Sequence, residues 1–257
     1  MKAAALGGHL DILLWLHANC TDECNASVMY SACKSSTLKV VQWLNDNFAW
    51  EDLSDFAMYT AARLGHLEIV QWFHATRNEG SAAAMDVADR FGHLEMIKWF
   101  HRNRTEGCTI QAMNWAAVNG HLEVVQWLHA NRREGCTTRA MDESAANGHI
   151  LVVKWLHYYR NEGCTSDAMT KAIRNGHFEV VLFLDEHRQE GFNSEMIVAT
   201  TIVEPRIELT QWLITNYSER MNGLTFLLPR WNWHFNNWRD NNMGMQLGNA
   251  SSVNKIG

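Results

Sequence analysis

Histidine and cysteine are the side chains of this sequence that could bind a metal ion or form a catalytic set. The 257 residues include 13 histidines and 6 cysteines. Eleven of the histidines occupy two recurring positions, one directly after a Gly and one after Trp-Leu or Trp-Phe, as His121 and His129 do. Because these two positions are eight residues apart, about 12 Å along a helix, they cannot share one ion. The histidine pattern therefore predicts no metal site.

The cysteines recur in the same way. Four of them share one repeat position: Cys24, Cys108, Cys136 and Cys164. Successive members should be one packed helix apart, roughly 8–10 Å, which exceeds the separation of about 4.4–6.8 Å that a disulfide requires between Cα atoms. We expect them to be small buried residues in a reducing compartment. Cys20 and Cys24 lie near His17, but this cluster lacks a fourth ligand, so we predict no zinc there.

Catalysis is a weaker hypothesis than binding for this chain. A Ser-His-Asp or Cys-His set is assembled by folding, so spacing alone does not decide the matter. Repeat position already accounts for nearly every histidine and cysteine, and a glycine-rich phosphate loop is missing. We therefore predict a protein that is not an enzyme, without catalytic residues and without a cofactor.

The composition indicates a folded chain with a protein partner. Hydrophobic residues make up 47% and charged residues 19%, which is enough apolar material for a sizeable core. The net charge of −6 lacks the basic excess of a nucleic-acid binder. No apolar run is long enough for a membrane span, and Gly-Gly-His stands where a signal peptide would be apolar. We expect a soluble intracellular protein, cytoplasmic with the nucleus left open, that does not bind a membrane.

A single phrase, Gly-His-Leu-Glu-Val-Val-Gln-Trp-Leu-His, is complete at residues 120–129 and recurs along the chain. Its eight copies begin at residues 8, 36, 65, 92, 120, 148, 176 and 205, a spacing of 27 to 29 residues. Leu122, Val125 and Leu128 lie three residues apart with Trp127 beside them, so they form an apolar stripe at helical spacing. The phrase predicts one amphipathic helix per repeat, with its Trp packed between repeats.

A shorter helix is predicted before each Gly. Met stands seven residues before the Gly in seven repeats, and small residues follow one turn later, so neighbouring helices can approach closely. Eleven residues before the Gly comes a column of helix caps: Asn25, Ser54, Ser81, Thr109, Thr137, Thr165 and, with a one-residue insertion, Asn193. The Gly ends this helix in the left-handed conformation. We expect the following His to bond backbone groups of the adjacent repeat.

Gly-His-Leu-Glu-Val-Val, after Ala-Ala and one or two variable residues, resembles the second half of the ankyrin repeat over about 217 of the 257 residues. The resemblance implies an all-α fold, a curved solenoid of stacked helix-turn-helix repeats. The Thr-Pro-Leu-His opening of that family is absent, and the period is about five residues shorter than 33. Since both helices are accounted for, the projecting hairpin loops should be shortened, and partner contacts should depend more on the first helices.

The predicted domain organisation is an ankyrin-like array over residues 1–217 and a tail over residues 218–257. Met1 already occupies the Met position, so either the first repeat is frayed or the sequence is a fragment. The tail carries Trp231, Trp233 and Trp238 near arginines. Three interpretations of the tail stay open: an irregular cap on the last repeat, a disordered segment, or a stacking surface for single-stranded bases.

The predicted function is that of a protein-protein interaction scaffold. Two alternatives are a substrate-recognition subunit of a larger enzyme complex and RNA binding through the aromatic tail. The predicted partner-binding strip consists of the positions six, five and two residues before each Gly. These positions vary between repeats, and we expect them to be exposed. Its members are Tyr59, Arg63, Asp86, Arg90, Asn114, Trp115, Asp142, Glu143, Lys171 and Arg174. Trp115 and the arginines are residue types that often dominate binding energy.

Overall fold

The computed structural model of the chain describes residues 1–20, 24–48, 50, 56–77, 82–105, 107–193 and 207–217. These residues contain helices and turns, and no strand occurs among them. The helices are α1 (Lys2–Leu6), α2 (Leu10–Asn19), α3 (Ala26–Lys34), α4 (Leu38–Asn47), α5 (Phe56–Arg63), α6 (Leu67–Arg77), α7 (Ala82–Arg90), α8 (Leu94–Asn103), α9 (Ile110–Val118), α10 (Leu122–Asn131), α11 (Thr138–Ala146), α12 (Ile150–Tyr159), α13 (Ser166–Asn175), α14 (Phe178–His187) and α15 (Ile207–Tyr217). The all-α repeat architecture predicted from the sequence is confirmed.

Residues 1–191 form one compact unit of seven helix pairs, α1 to α14. The first helices pack in one row, each against the first helix of the next repeat from α1 to α13. The second helices form a parallel row, with α10 against α12 and α12 against α14. Each repeat therefore contacts its neighbours in two layers, as in a solenoid.

The first helices begin at the residues predicted to cap them, wherever the structure describes both cap and helix. The side chains of Asn25, Thr109, Thr137 and Thr165 each accept a hydrogen bond from the backbone amide two residues later. Such a bond satisfies one of the free amides of a helix N-terminus. Ser54 and Ser81 lie outside the described residues, as does the segment that follows Asn193.

The turns between paired helices contain the predicted left-handed glycine. Gly92 and Gly120 have φ values of 76° and 78°. A Cβ on Gly92 would lie 2.6 Å from Nδ1 of His121 in the next repeat, so this position excludes a side chain for two reasons. The same His121 ring places Nε2 3.1 Å from the carbonyl oxygen of Arg90, which confirms the expected bond between adjacent repeats.

The core lies between the two helix layers and consists of the predicted Met, Ala and Val positions. Met113, Ala116 and Val125 are fully or almost fully buried, and so are their equivalents in the second to seventh repeats. The Trp side chains of the second helices are only partly buried, and Trp15 is 61% exposed. Four of them still link repeats, because the rings of Trp43, Trp99, Trp127 and Trp155 each meet edge-on a His of the preceding repeat, as His101 and Trp127 do at 5.2 Å. The tryptophans therefore contribute less burial than the sequence pattern indicates.

Residues 192–257 form a second compact unit, of which the structure describes residues 192, 193 and α15. In α15, Leu209 and Leu213 are buried. The rings of Phe192 and Tyr217 meet edge-on with their centroids 4.9 Å apart. The sequence prediction of an array to residue 217 with a tail over 218–257 stays a prediction, because that tail lies outside the described residues.

Candidate functional site

The side chains predicted to form an exposed strip fall into three columns on the first helices. For one of these columns, the prediction of exposure is wrong in most repeats. Six residues before the Gly, Asp86, Asn114 and Asp142 are 5%, 1% and 7% exposed. They point into the interface with the next repeat rather than to the surface. The expectation that these three residues face solvent is therefore incorrect.

The physical reason is a hydrogen bond to the cap of the following first helix. Asp86 Oδ1 accepts from the backbone amide of Thr109 at 2.8 Å, and Asp86 Oδ2 accepts from the Thr109 hydroxyl at 2.7 Å. Asp142 accepts from Thr165 in the same way, at 2.7 Å and 3.0 Å. These acceptors fix the distance and register between successive repeats.

Asn114 forms the same junction without a charge. Its Oδ1 accepts from the Thr137 amide at 3.0 Å. At the equivalent aspartates, burial raises the pKa of Asp86 and Asp142, while the hydrogen bonds from Thr109 and Thr165 oppose that rise. This position thus tolerates either an amide or a carboxylate, which explains why Asp and Asn both occur there in successive repeats.

The other two columns remain at the surface in most repeats. Five residues before the Gly, Trp115, Glu143 and Lys171 are partly exposed, and Lys171 Nζ lies 2.7 Å from a carboxylate oxygen of Glu143. Trp115 also lies beneath a guanidinium, with Cζ of Arg90 5.7 Å from its ring centroid. This pairing makes Arg90 and Trp115 one contiguous patch.

Two residues before the Gly, the exposed side chains are basic in three successive repeats. They are Lys34, Arg63 and Arg90, and Arg174 is exposed at the same position farther along. Among the described residues, no carboxylate forms an ion pair with Lys34 or Arg63. These two charges are therefore available to a partner, in a chain whose net charge is −6.

The first three repeats add a groove to this face. It has a volume of about 370 Å³, and its lining comprises Lys2, Ser27, Tyr30, Ser31, Lys34, Phe56, Tyr59, Thr60 and Arg63. The rings of Tyr30 and Phe56 meet edge-on at 4.7 Å, and Tyr59 stacks at 6.2 Å from Phe56. We call this feature the aromatic groove.

The aromatic groove forms because the position six residues before the turn, which is polar and buried in later repeats, is occupied by larger side chains in the first three repeats. Lys2, Tyr30 and Tyr59 stand where Asp86 and its later equivalents bond a cap, six residues before the turn. These longer side chains extend to the surface beside Lys34 and Arg63. Tyr59 and Arg63 belong to the predicted strip, whereas Tyr30 and Lys34 do not, because Ser36 replaces the Gly that marks these positions in the second repeat.

A larger hollow of about 510 Å³ lies at the loop of residues 131–134. Two of its three charged side chains, Arg132 and Glu134, form an ion pair with each other. Arg132 also donates to Nδ1 of His101 in the preceding repeat over 3.3 Å. We therefore regard this hollow as part of the loop structure and the aromatic groove as the better candidate for binding.

The loop contacts form a second set of junctions that the sequence analysis missed. Arg160 repeats the pattern of Arg132: it pairs with Glu162 and lies 3.2 Å from Nδ1 of His129. This pattern is visible in the sequence, because an Arg, a Glu two residues later and a Gly directly after the Glu recur before the cap. Gly135 in this motif has a φ of 72°, like the glycines of the helix turns.

One buried cluster has groups that could hold a metal ion. A carboxylate oxygen of Asp86, one of Asp89 and Sγ of Cys108 all lie within 4.8 Å of one another. Burial raises the pKa of Cys108 to about 12, and the nearby Asp89 raises it as well. Burial likewise raises the pKa of Asp89 well above its usual range.

Comparison with known proteins gives one family match. The family model described as "Ankyrin repeats (many copies)" matches residues 81–129 and again residues 113–157. A search of curated proteins found no match. Among the described residues, no helix is long and apolar enough to cross a membrane.

Proposed function

From the membership of residues 81–157 in the ankyrin-repeat family, we propose that this chain is a protein-interaction module that binds an acidic segment of a partner protein. Ankyrin repeats are in general protein-interaction modules, typically without enzymatic activity. The proposed binding surface is the exposed face of the first helices, from the aromatic groove to Arg90 and Trp115, with Glu143, Lys171 and Arg174 at its far end. Asp86, Asn114 and Asp142 are left out because they are buried.

The observation that carries the proposal is the combination of aromatic and unpaired basic side chains in the aromatic groove. Tyr30, Phe56 and Tyr59 offer rigid apolar contact area. Lys34 and Arg63 supply positive charge at the rim of that area. Aromatic and arginine side chains are enriched among residues that dominate binding energy, and charge complementarity selects the partner and speeds association. A segment with carboxylates around an aromatic or aliphatic anchor fits this surface.

Peptide selection on the full chain tests the proposal. A displayed random peptide library should yield sequences rich in Asp and Glu with an apolar anchor. The double variant Lys34→Glu, Arg63→Glu should weaken binding of a selected peptide at least tenfold, about 1.4 kcal/mol. The matched control is Lys39→Glu, Lys154→Glu, which makes the same charge change at exposed positions of second helices.

The outcome decides between surfaces. Equal losses in both double variants would mean that only net charge matters, and the proposal would be wrong. An Arg90→Ala, Trp115→Ala variant in the same assay tests whether the surface extends to the fifth repeat.

The alternative of a substrate-recognition subunit would use the same face, and no observation favours it over a scaffold. RNA binding through the tail concerns residues outside those the structure describes. If the selected peptides lacked acidic residues while RNA bound the chain and was lost on removal of residues 218–257, that alternative would replace the proposal.

A further inference from the structure

The junction between the fourth and fifth repeats contains a carboxylate that the fold does not explain. Asp89 lies three residues before the Gly of its repeat and is 0% exposed. The equivalent residues in the other described repeats are apolar and buried: Ala5, Cys33, Ala62, Ala117, Ala145 and Ile173. Asp89 thus places a charged group where the rest of the array has none.

Neither oxygen of Asp89 has a hydrogen-bond partner among the described residues. A buried carboxylate without a partner is costly, because it loses its hydration and receives nothing in exchange. Its neighbours increase the cost, since one carboxylate oxygen of Asp86 and Sγ of Cys108 lie within 4.8 Å of one of its oxygens. The side chain is therefore aimed into a cluster of ligand atoms.

The cation beside this cluster is already engaged by other groups. Among the described residues, Arg132 is the cation that lies close enough to lower the pKa of Asp89 and Cys108 by its charge. It is paired with Glu134, its second amino group donates to His101, and a further hydrogen bond joins it to Cys108. Burial favours the protonated forms of Asp89 and Cys108, so an ion that binds here takes the place of their protons.

We propose that Asp86, Asp89 and Cys108 form a binding site for one divalent metal ion of zinc type between the fourth and fifth repeats. Two carboxylate oxygens and one sulfur suit Zn²⁺, because it accepts both oxygen and thiolate ligands, whereas Ca²⁺ and Mg²⁺ take oxygen ligands. Three protein ligands leave the fourth tetrahedral position to a water molecule, as in zinc sites that are not fully closed by protein. Ligand atoms around tetrahedral Zn²⁺ are roughly 3.5 Å apart, given bonds of about 2.0–2.3 Å. The present separation of up to 4.8 Å needs only a small contraction of three side chains.

The surroundings hold the ligands in place. Asp86 keeps its two bonds from Thr109, so one oxygen can bind the ion while Thr109 fixes the carboxylate orientation. The Cys108 thiol releases its proton to solvent when the sulfur binds the ion. Because α7 carries both carboxylates and Cys108 precedes α9, the ion would link two successive first helices.

Metal binding by the full chain tests the proposal. The protein is stripped with a chelator and titrated with Zn²⁺ against a chromophoric competitor, and with Co²⁺ to detect the thiolate-to-cobalt absorption band. We expect one ion per chain, the Co²⁺ band, and a higher Tm with Zn²⁺. Asp89→Ala and Cys108→Ala should each lower the affinity about 100-fold or more, beyond the effect of losing an outer-shell partner.

Asp89→Ala is a safe variant for folding, because Ala stands at this position in four other repeats. Cys136→Ala is the matched control: it occupies the next repeat, where Asn114 and Ala117 replace the two aspartates, and it should leave binding unchanged. The proposal is overturned if no Co²⁺ band forms, or if the band survives Asp89→Ala, which would assign it to Cys20 and Cys24. It is also overturned if Asp89→Ala raises the Tm of metal-free and Zn²⁺-treated protein equally, as expected for a protonated or Arg132-paired carboxylate.

Discussion

At the scale of single residues, the acceptor six positions before the helix turn holds one repeat to the next in the fourth, fifth and sixth repeats. Asp142 accepts two hydrogen bonds from Thr165. Asn114 accepts the equivalent bond from Thr137 as a neutral amide. The geometry therefore needs an oxygen acceptor, and the negative charge is dispensable.

Two substitutions of Asp142 separate the acceptor from the charge. Asp142→Asn should leave the free energy of unfolding unchanged or slightly higher. The amide keeps Oδ1 as the acceptor for Thr165, and it replaces a carboxyl group whose charged form is disfavoured by burial, as its raised pKa indicates. Asp142→Ala should cost about 1–3 kcal/mol, because it leaves the Thr165 amide without its partner. Urea denaturation at neutral pH measures both. Equal losses in the two variants would show that the charge itself is required.

These residues also show what the sequence could and could not predict. Helix caps and turn glycines were predicted correctly because each follows from local backbone geometry, as for Thr137 and Gly120. The burial of Asp86 and Asn114 was missed because it depends on a contact with the next repeat, 23 residues away. Variation between copies was interpreted as free surface, whereas at this position it reflects that carboxylate and amide both satisfy the same donor.

At the scale of the helix turn, histidine joins neighbouring repeats in a defined protonation state. The carbonyl oxygen of Arg90 can only accept, so Nε2 of His121 carries the proton of this bond. At the second histidine position, Nδ1 of His101 lies against the Arg132 guanidinium, which can only donate. Nδ1 of His101 is therefore the acceptor of this hydrogen bond.

Acidification should weaken the array through these turns. Burial lowers the pKa of His121 below 6.5; the bond to Arg90 opposes this change, and the nearby His149 and His93 add to it. Because the folded pKa is lower than the unfolded one, the unfolded chain binds more protons, and stability falls as pH drops through 6.5 toward the folded value. Urea midpoints from about pH 8 to about pH 5 should decrease, and His121→Gln should flatten part of that slope. His9→Gln, at the exposed first turn, serves as the control.

At the scale of the whole array, stability should differ along the chain because every repeat depends on its neighbours. The second helix of the first repeat, α2, buries Leu13, while Ile12, Leu14 and Trp15 are exposed. The helix α10 buries Val124, Val125 and Leu128. Each buried aliphatic side chain contributes on the order of 1.5–3 kcal/mol relative to an exposed one.

Amide hydrogen exchange read by mass spectrometry measures this difference. Peptides from α2 should exchange much faster than peptides from α10, since helices with few buried apolar contacts open locally at low free energy. Uniform exchange from α2 to α14 would indicate that residues 1–191 unfold as one cooperative unit instead.

The contact of four turn glycines, at 65, 92, 120 and 148, with the histidine of the next repeat has a consequence for how such genes change length. Gly92 leaves the space that His121 fills, and Gly120 leaves the space that His149 fills. Half of every junction is thus encoded in one repeat and half in the next. Unequal recombination that adds or deletes one whole period pairs a glycine from one copy with a histidine from another and keeps every junction intact. An exchange out of register would separate these partners and leave the space beside the glycine unfilled, so the junction geometry favours changes in length by whole periods.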